Sequence, residues 1–372
     1  MRTARILLSF ILFPLSLVYG IVVFIRNKLY DYNFISSHSF RIPIIAIGNI
    51  TVGGTGKTPH VEYLAELLKI EFTIATLSRG YKRKSSGFHF AGVDSTVQQV
   101  GDEPLQIKKK FPDITVAVDR KRVRGINQLM DHLDELDVVL LDDAYQHRKV
   151  KANLSILLID YNHPINKDFL LPLGNLREQV SEKRRANIII VTKSPTDLKP
   201  IQRRVMLNKL KPYPYQNVYF TTLDYGEPLP VFGQQDKYRE GEVQSLRMDE
   251  NTSILMVTAI ADPAPLKDYL EKNVSEKINS IKFADHRNFS TLDIEKIKNR
   301  YDKMESGNRV IITTEKDAIR LKDSIHINEE LKKAFYYIPI QVRFLNNRTD
   351  DFNKQILEYV RKNKKHSFLY PQ

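Results

Sequence analysis

The sequence predicts an α/β protein: a mostly parallel sheet flanked by helices, a smaller second α/β domain behind it, and a hydrophobic helix in front. Three observations carry this reading. Short apolar β-type runs alternate with helix-patterned segments up to about residue 225; a stretch rich in Gly, Pro and charge then interrupts the pattern; beyond it the alternation resumes. A chain of 372 residues fits about two domains at ~100–200 residues each. Hydrophobic residues at 42% and charged residues at 27% exclude a disordered, collagen-like or many-spanning membrane chain. With no cysteine, disulfide scaffolds, iron–sulfur clusters, cysteine nucleophiles and Cys-type zinc sites are excluded. The formal charge of +13 suits nucleic acid, an anionic membrane surface or a phosphorylated substrate, and composition alone does not choose among them.

In chain order, residues 6–25 form a run of twenty residues without a charge. A helix rising ~1.5 Å per residue over that length just crosses a ~30 Å hydrocarbon layer. No small-x-small cleavage site follows it, so a removable signal peptide is not expected. Arg2 and Arg5 before the run and Arg26 and Lys28 after it leave its orientation open, and Pro14 and Gly20 weaken it as a spanning helix. Residues 1–28 are therefore expected to be membrane-associated, either spanning or lying in the interface. Residues 41–48 read as a strand that breaks into a glycine-rich loop and then a helix at 59–68. Further strands are expected at 72–77, 115–118, 138–141, 156–159 and 188–191, which together assign residues 29–225 to the larger domain. Residues 226–251 read as a connection. Strands at 254–258, 278–283, 310–314 and 336–340, with helices at 266–272, 292–304 and 352–363, place residues 252–372 in the smaller domain. The basic tail at 361–366 reads as a solvated helix end.

The glycine-rich loop, GNITVGGTGKTP at 48–59, reads as a P-loop. Gly53, Gly54 and Gly56 let backbone N–H groups turn around phosphate oxygens, and the following helix adds its positive dipole end. Thr51, Val52, Gly53, Gly54, Thr55, Gly56, Lys57 and Thr58 are thus the expected nucleotide cradle. Lys57 would bridge the terminal phosphates and Thr58 would join a Mg²⁺ shell. Thr51 stands where the usual pattern has its first glycine. The apolar run at 138–141 ends in Asp142 and Asp143, the metal candidates such a loop requires on a neighbouring strand, with Gln146 close enough to return to the same shell. GDEP at 101–104 offers Asp102 as a candidate base, although a turn with two acids before a proline is also an ordinary helix start. Basic residues follow two further strands: Arg79, Lys82, Arg83 and Lys84 in one loop, Arg120, Lys121, Arg122 and Arg124 in the other. Both groups are placed to grip a second phosphate at the sheet edge.

These motifs, with LSRGYKR at 77–83, DDAYQHR at 142–148, LPLGNLRE at 171–178, FADHRNF at 283–289 and TTEKDAIRL at 313–321, resemble in order those of the tetraacyldisaccharide 4′-kinase family of Gram-negative bacteria. The resemblance implies ATP- and Mg²⁺-dependent phosphorylation of the 4′-hydroxyl of an acylated glucosamine disaccharide 1-phosphate at the cytoplasmic face of the inner membrane. It implies that Asp102 is the base and pairs with His286, that Glu103, Asp142, Asp143 and Gln146 belong to the metal and phosphate neighbourhood, and that Arg177 stabilises transferring charge. Arg79 and Arg122 become contacts to the lipid 1-phosphate or to nucleotide phosphates. Two departures stand out: 259–263 reads AIADP where a glycine-containing Asn-Pro turn is expected, and Arg287 replaces a second histidine. The rival reading is a membrane-anchored P-loop ATPase acting as a switch, which shares the cradle and the Asp pair but does not require GDEP or DHRNF. Nucleic acid is not an expected partner.

Overall fold

The computed structural model describes residues 2–233, 248–304, 307–322 and 327–369, without the side chains of 2–11, 167 and 365–369. Helix α1 (Arg2–Asp31) runs continuously through Pro14. The larger unit contains β1 (Ile44–Gly48), α2 (Lys57–Leu68), β2 (Ile74–Ser78), β3 (His89–Phe90), α3 (Val97–Val100), α4 (Asp102–Lys110), β4 (Thr115–Val118), α5 (Arg122–His132), β5 (Val138–Leu141), β6 (Leu154–Asp160), β7 (Ile188–Thr192), α6 (Pro200–Leu210) and β8 (Asn217–Tyr225). After β9 (Leu229–Pro230) the smaller unit adds β10 (Ser253–Thr258), α7 (Ala264–Asn273), β11 (Ile278–Lys282), α8 (Thr291–Asp302), β12 (Arg309–Thr314), α9 (Glu315–Lys322), α10 (Glu329–Ala334) and β13 (Phe335–Ile338). The chain closes with β14 (Ile340–Phe344) and α11 (Thr349–Leu369).

Among the described residues a nine-stranded sheet runs β14-β8-β7-β6-β1-β5-β2-β4-β3, and a five-stranded one runs β11-β10-β12-β13-β9. Both are parallel except at edges: β3 and β14 in the first and β9 in the second pair antiparallel. The central strands are apolar throughout, as both faces of a parallel sheet are covered; β1, β2, β5 and β7 are buried at every position. The chain passes from β1 to β2 on one side and from β5 to β6 on the other, so β1 lies at the switch point, where open α/β sheets bind ligands beyond their carboxyl ends.

One expectation about organisation needs correction. The sequence pattern places residues 252–372 in the smaller unit, yet β14 pairs with β8 from Ile340↔Tyr225 to Phe344↔Thr221, and α11 packs on the larger core. The reason is a stripe. Phe352, Ile356 and Val360 recur every four residues, are fully buried, and join Val61, Leu64 and Leu68 of α2 in one apolar cluster. The connection expected at 226–251 contributes β9 to the smaller sheet; its residues 234–247 lie outside the described residues.

Helix α2 fixes the P-loop from below through His60. Its Nδ1 lies 2.7 Å from the Gly56 carbonyl oxygen and its Nε2 3.0 Å from Thr221 Oγ1. A carbonyl only accepts, so Nδ1 carries the proton and Nε2 accepts from the threonine hydroxyl. Burial pushes the imidazole down to about 4, partly opposed by the Gly56 hydrogen bond. Because the folded value is depressed, the associated stability is complete above the unfolded value of about 6.5 and is lost as pH falls through about 4. Chemical denaturation at pH 7 and pH 4.5 checks this: the wild type should lose about 2 kcal/mol more than His60→Gln between the two pH values, and equal losses would show that His60 does not couple folding to protons.

Candidate active site

The P-loop forms because a buried strand, β1, meets a helix through residues that tolerate left-handed backbone. Gly56 precedes α2 at φ 82°. At the end of β1 a Cβ on Gly48 would stand 2.8 Å from the Tyr145 backbone nitrogen, so only glycine lets the Asp142–Tyr145 turn close onto the loop. Gln146 donates from Nε2 to the Asn49 carbonyl oxygen at 2.7 Å, bracing the loop's first turn. The loop carrying Arg177 is strapped to the other side: Val52 N donates to Asn175 O, and Arg177 N to Ile50 O, each at 2.7 Å. Space above Gly53 and Gly54 is open, with no atom within 4 Å of a Cβ built at either. Thr55 Oγ1 is buried without a hydrogen-bond partner.

The two carboxylates after β5 differ. Asp143, at φ 46°, faces Lys57 Nζ at 3.6 Å and Arg177 Nη1 at 3.2 Å. Burial alone would raise its carboxyl, but the two cations hold it below the usual carboxylate value. Asp142 is buried and its Oδ1 has no hydrogen-bond partner. Burial, reinforced by the charges of Glu103 and Asp143, pushes it up to about 7 despite Lys57 and Arg122. A buried carboxylate with an orphaned oxygen beside two other acids fits a cation. Among the described residues no group of three or more His, Asp or Glu side chains converges as a metal cage. The donor set instead suits a hard cation that also takes phosphate and water oxygens.

Asp102 opens α4 and is buried. Its Oδ1 accepts from Glu103 N at 2.9 Å; its Oδ2 accepts from His286 Nδ1 at 2.9 Å and from Arg320 Nε at 3.0 Å, with Arg320 Nη2 closer still. Burial alone would push this carboxyl up, but the His286 hydrogen bond and the Lys316 and Arg320 charges outweigh burial and hold it well below the usual carboxylate range. His286 sits at φ 57° in the loop after β11, with its Nε2 3.4 Å from Lys316 Nζ, and Lys316 donates to Glu103 Oε1 at 2.8 Å. The smaller unit thus meets the larger one at GDEP. Lys316 and Arg320 carry no role in the sequence reading. TTEKDAIRL was recognisable as a motif, but nothing in its local pattern shows which of its charges is buried.

The basic clusters separate in the structure. Arg79 and Arg122 line a cavity of about 1460 Å³ that also takes in Lys57, Asp142, His286 and, from α1, Tyr19. Arg122 is nearly fully buried, and its outer nitrogens lie on the backbone carbonyls of Asp119 and Asp142. Arg83, expected to be available for a phosphate, is instead buried and hydrogen-bonded to the carbonyls of Gly87 and Val118, so it shapes its own loop. Arg124 pairs with Asp119, and Arg287 with Asp293. The AIADP turn keeps its contacts through backbone: Ala259 N donates to Asp317 Oδ2 at 2.9 Å and Ala259 O accepts from Arg320 Nη1 at 3.0 Å.

Helix α1 docks its second half beside this cavity. Tyr19 donates to Arg177 O at 2.8 Å, Ser16 to Leu170 O at 2.8 Å and Asn27 to Glu178 Oε1 at 3.3 Å. Its other face leaves Phe13, Leu17, Val18, Ile21, Val22 and Ile25 at least half exposed. By length and composition residues Leu12–Asp31 could cross a membrane.

A family model described as Tetraacyldisaccharide-1-P 4′-kinase matches residues 8–361. The chain is 48% identical over 359 residues to a tetraacyldisaccharide 4′-kinase of Bacteroides thetaiotaomicron, covering 96% of this chain and 94% of that one. It is 44% identical over 357 residues to one of Flavobacterium johnsoniae, covering 96% and 98%. Among solved structures, the "apo" form of LpxK from Aquifex aeolicus in complex with ATP superposes with a TM-score of 0.71 at 26% identity, covering 95% of this chain and 99% of that one. With a family model matched over nearly the whole chain and relatives this similar over nearly their whole length, the chain, which carries the P-loop, the Asp pair and the Asp102–His286 contact, belongs to the tetraacyldisaccharide-1-phosphate 4′-kinase family.

Proposed function

We propose that the chain carries out its family's reaction, phosphorylation of the 4′-hydroxyl of a tetraacyldisaccharide 1-phosphate in lipid A biosynthesis, with ATP in the P-loop and proton transfer to Asp102. The observation that carries the reading is the meeting of two clusters on one cavity: Lys57, Asp142 and Asp143 at the sheet edge, and Glu103 with His286, whose Nδ1 bonds the buried Asp102 just behind the lining. Backbone N–H groups of Thr51 to Thr58 and the Lys57 ammonium hold the triphosphate, and Arg177, strapped to the loop, faces the charge that spreads over the transferring group. Thr58 and Asp142, with Asp143, Glu103 and Gln146 around them, would hold Mg²⁺, whose contribution when bound is to neutralise phosphate charge. The orphaned Asp142 Oδ1 favours Asp142 over Asp143 as the direct ligand. Asp102 takes the proton of the acceptor hydroxyl as its oxygen attacks the γ-phosphorus and the bond to ADP breaks. His286 holds the carboxylate from the side. Arg79 and Arg122 line the part of the cavity where the 1-phosphate would lie.

The apolar face of α1 supports attachment to the cytoplasmic face of the inner membrane, where ATP is available and acyl chains remain in the bilayer while the headgroup enters the cleft. Residues 29–225 together with the returning 340–369 would form the kinase core, and 252–338 the smaller lobe that closes over the headgroup. A switch ATPase needs no lipid acceptor; this enzyme should transfer phosphate only to one.

Transfer of radiolabelled phosphate from ATP to the acylated disaccharide 1-phosphate in detergent micelles tests the reading. Lys57→Ala and Asp102→Ala should each lower kcat by about 10²-fold or more, with ATP binding retained in the Asp102 variant; normal turnover by Asp102→Ala would remove Asp102 as the proton acceptor. Membrane attachment has its own test. Flotation with anionic vesicles should fall sharply in the double variant Val18→Glu, Val22→Glu, whose side chains are exposed in the folded protein, and unchanged flotation would rule out α1 as the anchor.

A further inference from the structure

The Asp102–His286 pair does not stand alone. Behind it lies the guanidinium of Arg320, brought by α9 of the smaller unit to a side-chain exposure of 2%. Every edge of this fork is in use. Nε and Nη2 grip Asp102 Oδ2, while Nη1 donates to Asp317 Oδ1 at 2.8 Å and to Ala259 O at 3.0 Å. Asp317 is fixed in turn, its Oδ2 accepting from Ala259 N at 2.9 Å and from Thr314 Oγ1 at 2.8 Å. Arg320 is therefore seated on the β10 and β12 ends of the smaller sheet before it reaches across to the larger unit.

This geometry divides the labour of the Asp102 oxygens. Oδ2 takes two N–H bonds from Arg320 and one from His286, which leaves it no lone pair for a proton from substrate. Oδ1 accepts only the Glu103 N–H and keeps a lone pair. His286 Nδ1 lies 2.9 Å from Oδ2 and 3.1 Å from Arg320 Nη2; since Arg320 only donates and the carboxylate only accepts, Nδ1 carries the proton and donates to Asp102, and Nε2 is left as an acceptor facing Lys316 Nζ at 3.4 Å.

We propose that Arg320 is the positioning residue of the Asp102–His286 pair, its two-pronged grip on Oδ2 holding the carboxylate at the rotation that presents Oδ1 to the acceptor hydroxyl. Arg320 touches neither the P-loop nor the cavity's phosphate side, so it acts through Asp102. A bidentate grip is a property of the planar guanidinium; a lysine ammonium keeps the charge but cannot span Asp102, Asp317 and the Ala259 carbonyl together. The inference rests on the reading of Asp102 as proton acceptor, and the experiment separates the two.

The test is steady-state transfer of labelled phosphate by the full-length enzyme in detergent micelles, for Arg320→Lys, Arg320→Met, Asp102→Asn and the double variant Asp102→Asn, Arg320→Met, with ATP affinity and thermal unfolding measured alongside. Arg320→Met should lower kcat about 100-fold or more, and Arg320→Lys about tenfold or more, while the ATP KM stays within about threefold. In the Asp102→Asn background, the added Arg320→Met change should alter kcat by less than about twofold, because a residue acting through Asp102 has nothing left to position. If Arg320→Met does not fold, Arg320→Lys, which keeps a positive charge between the two buried carboxylates, carries the test. Wild-type kcat in Arg320→Lys, or full additivity in the double variant, would overturn the role assigned to Arg320. Loss of activity in Asp102→Asn with normal turnover in Arg320→Lys would overturn it alone, whereas normal turnover in Asp102→Asn would overturn the proton-acceptor reading itself.

Discussion

A carboxylate taken out of water must be met by charge and hydrogen bonds, and Asp102 finds nearly all of its partners on the other half of the molecule. Its own unit supplies one backbone N–H; the smaller unit supplies His286, Arg320 and, at 3.9 Å, Lys316. The seating of the smaller unit therefore depends on an acid at the start of α4, and the acid's ionisation depends on the smaller unit. A second, half-buried group makes the same bridge nearby. Lys110, at the end of α4, pairs with Glu62 of α2 at 2.6 Å and reaches Glu315 of α9 at 3.6 Å. Burial and the Glu315 charge push Glu62 up to about 7 against the opposing pull of Lys110. The two halves are thus joined through charge on both ends of one short helix.

The remainder of the site is organised by backbone rather than by side chains. The P-loop is fixed by Gln146 on one flank, by the 175–177 segment on the other and by His60 beneath. Each of these comes from a different element, so the loop stays open above Gly53 and Gly54 while its base is held from three sides. The 175–177 segment also carries Arg177, whose carbonyl receives Tyr19 of α1. The apolar helix is in this way connected to the loop that would cradle phosphate through a single intervening residue. An enzyme whose acceptor is a lipid headgroup has reason to place an exposed apolar helix and its phosphate site this close together.

What the sequence made legible was local. The strands at Thr115–Val118 and Val138–Leu141 have the expected bounds, because they are short apolar runs closed by polar residues. The P-loop and the strand-end Asp142–Asp143 pair were readable because each is spelled out within a dozen consecutive residues. His286 was reachable only through family resemblance, since a lone histidine in a loop carries no pattern. Arg320 was not reachable at all: in an amphipathic helix with charges all around, nothing local distinguishes a buried arginine from a solvated one, and its partner lies 218 residues away. The strand β8 was missed because its threonines break the apolar run. The return of β14 and α11 was missed because the Phe352, Ile356, Val360 stripe identifies a helix but not the sheet it covers. Arg83 shows the opposite error, a basic residue in a basic loop whose charge is consumed by main-chain carbonyls.

In the proposed reaction the two halves assemble one site in which Asp102 of the larger unit, oriented by the smaller, faces the reacting hydroxyl. The most direct measurement is a crystal structure with a non-hydrolysable ATP analogue and the acylated disaccharide 1-phosphate bound together. The γ-phosphate should lie on Lys57 and the 4′-oxygen within about 3.2 Å of Asp102 Oδ1, with Oδ2 still gripped by Arg320 and His286. A 4′-oxygen directed at Asp142 or Asp143, with Asp102 turned away from the acceptor, would contradict it.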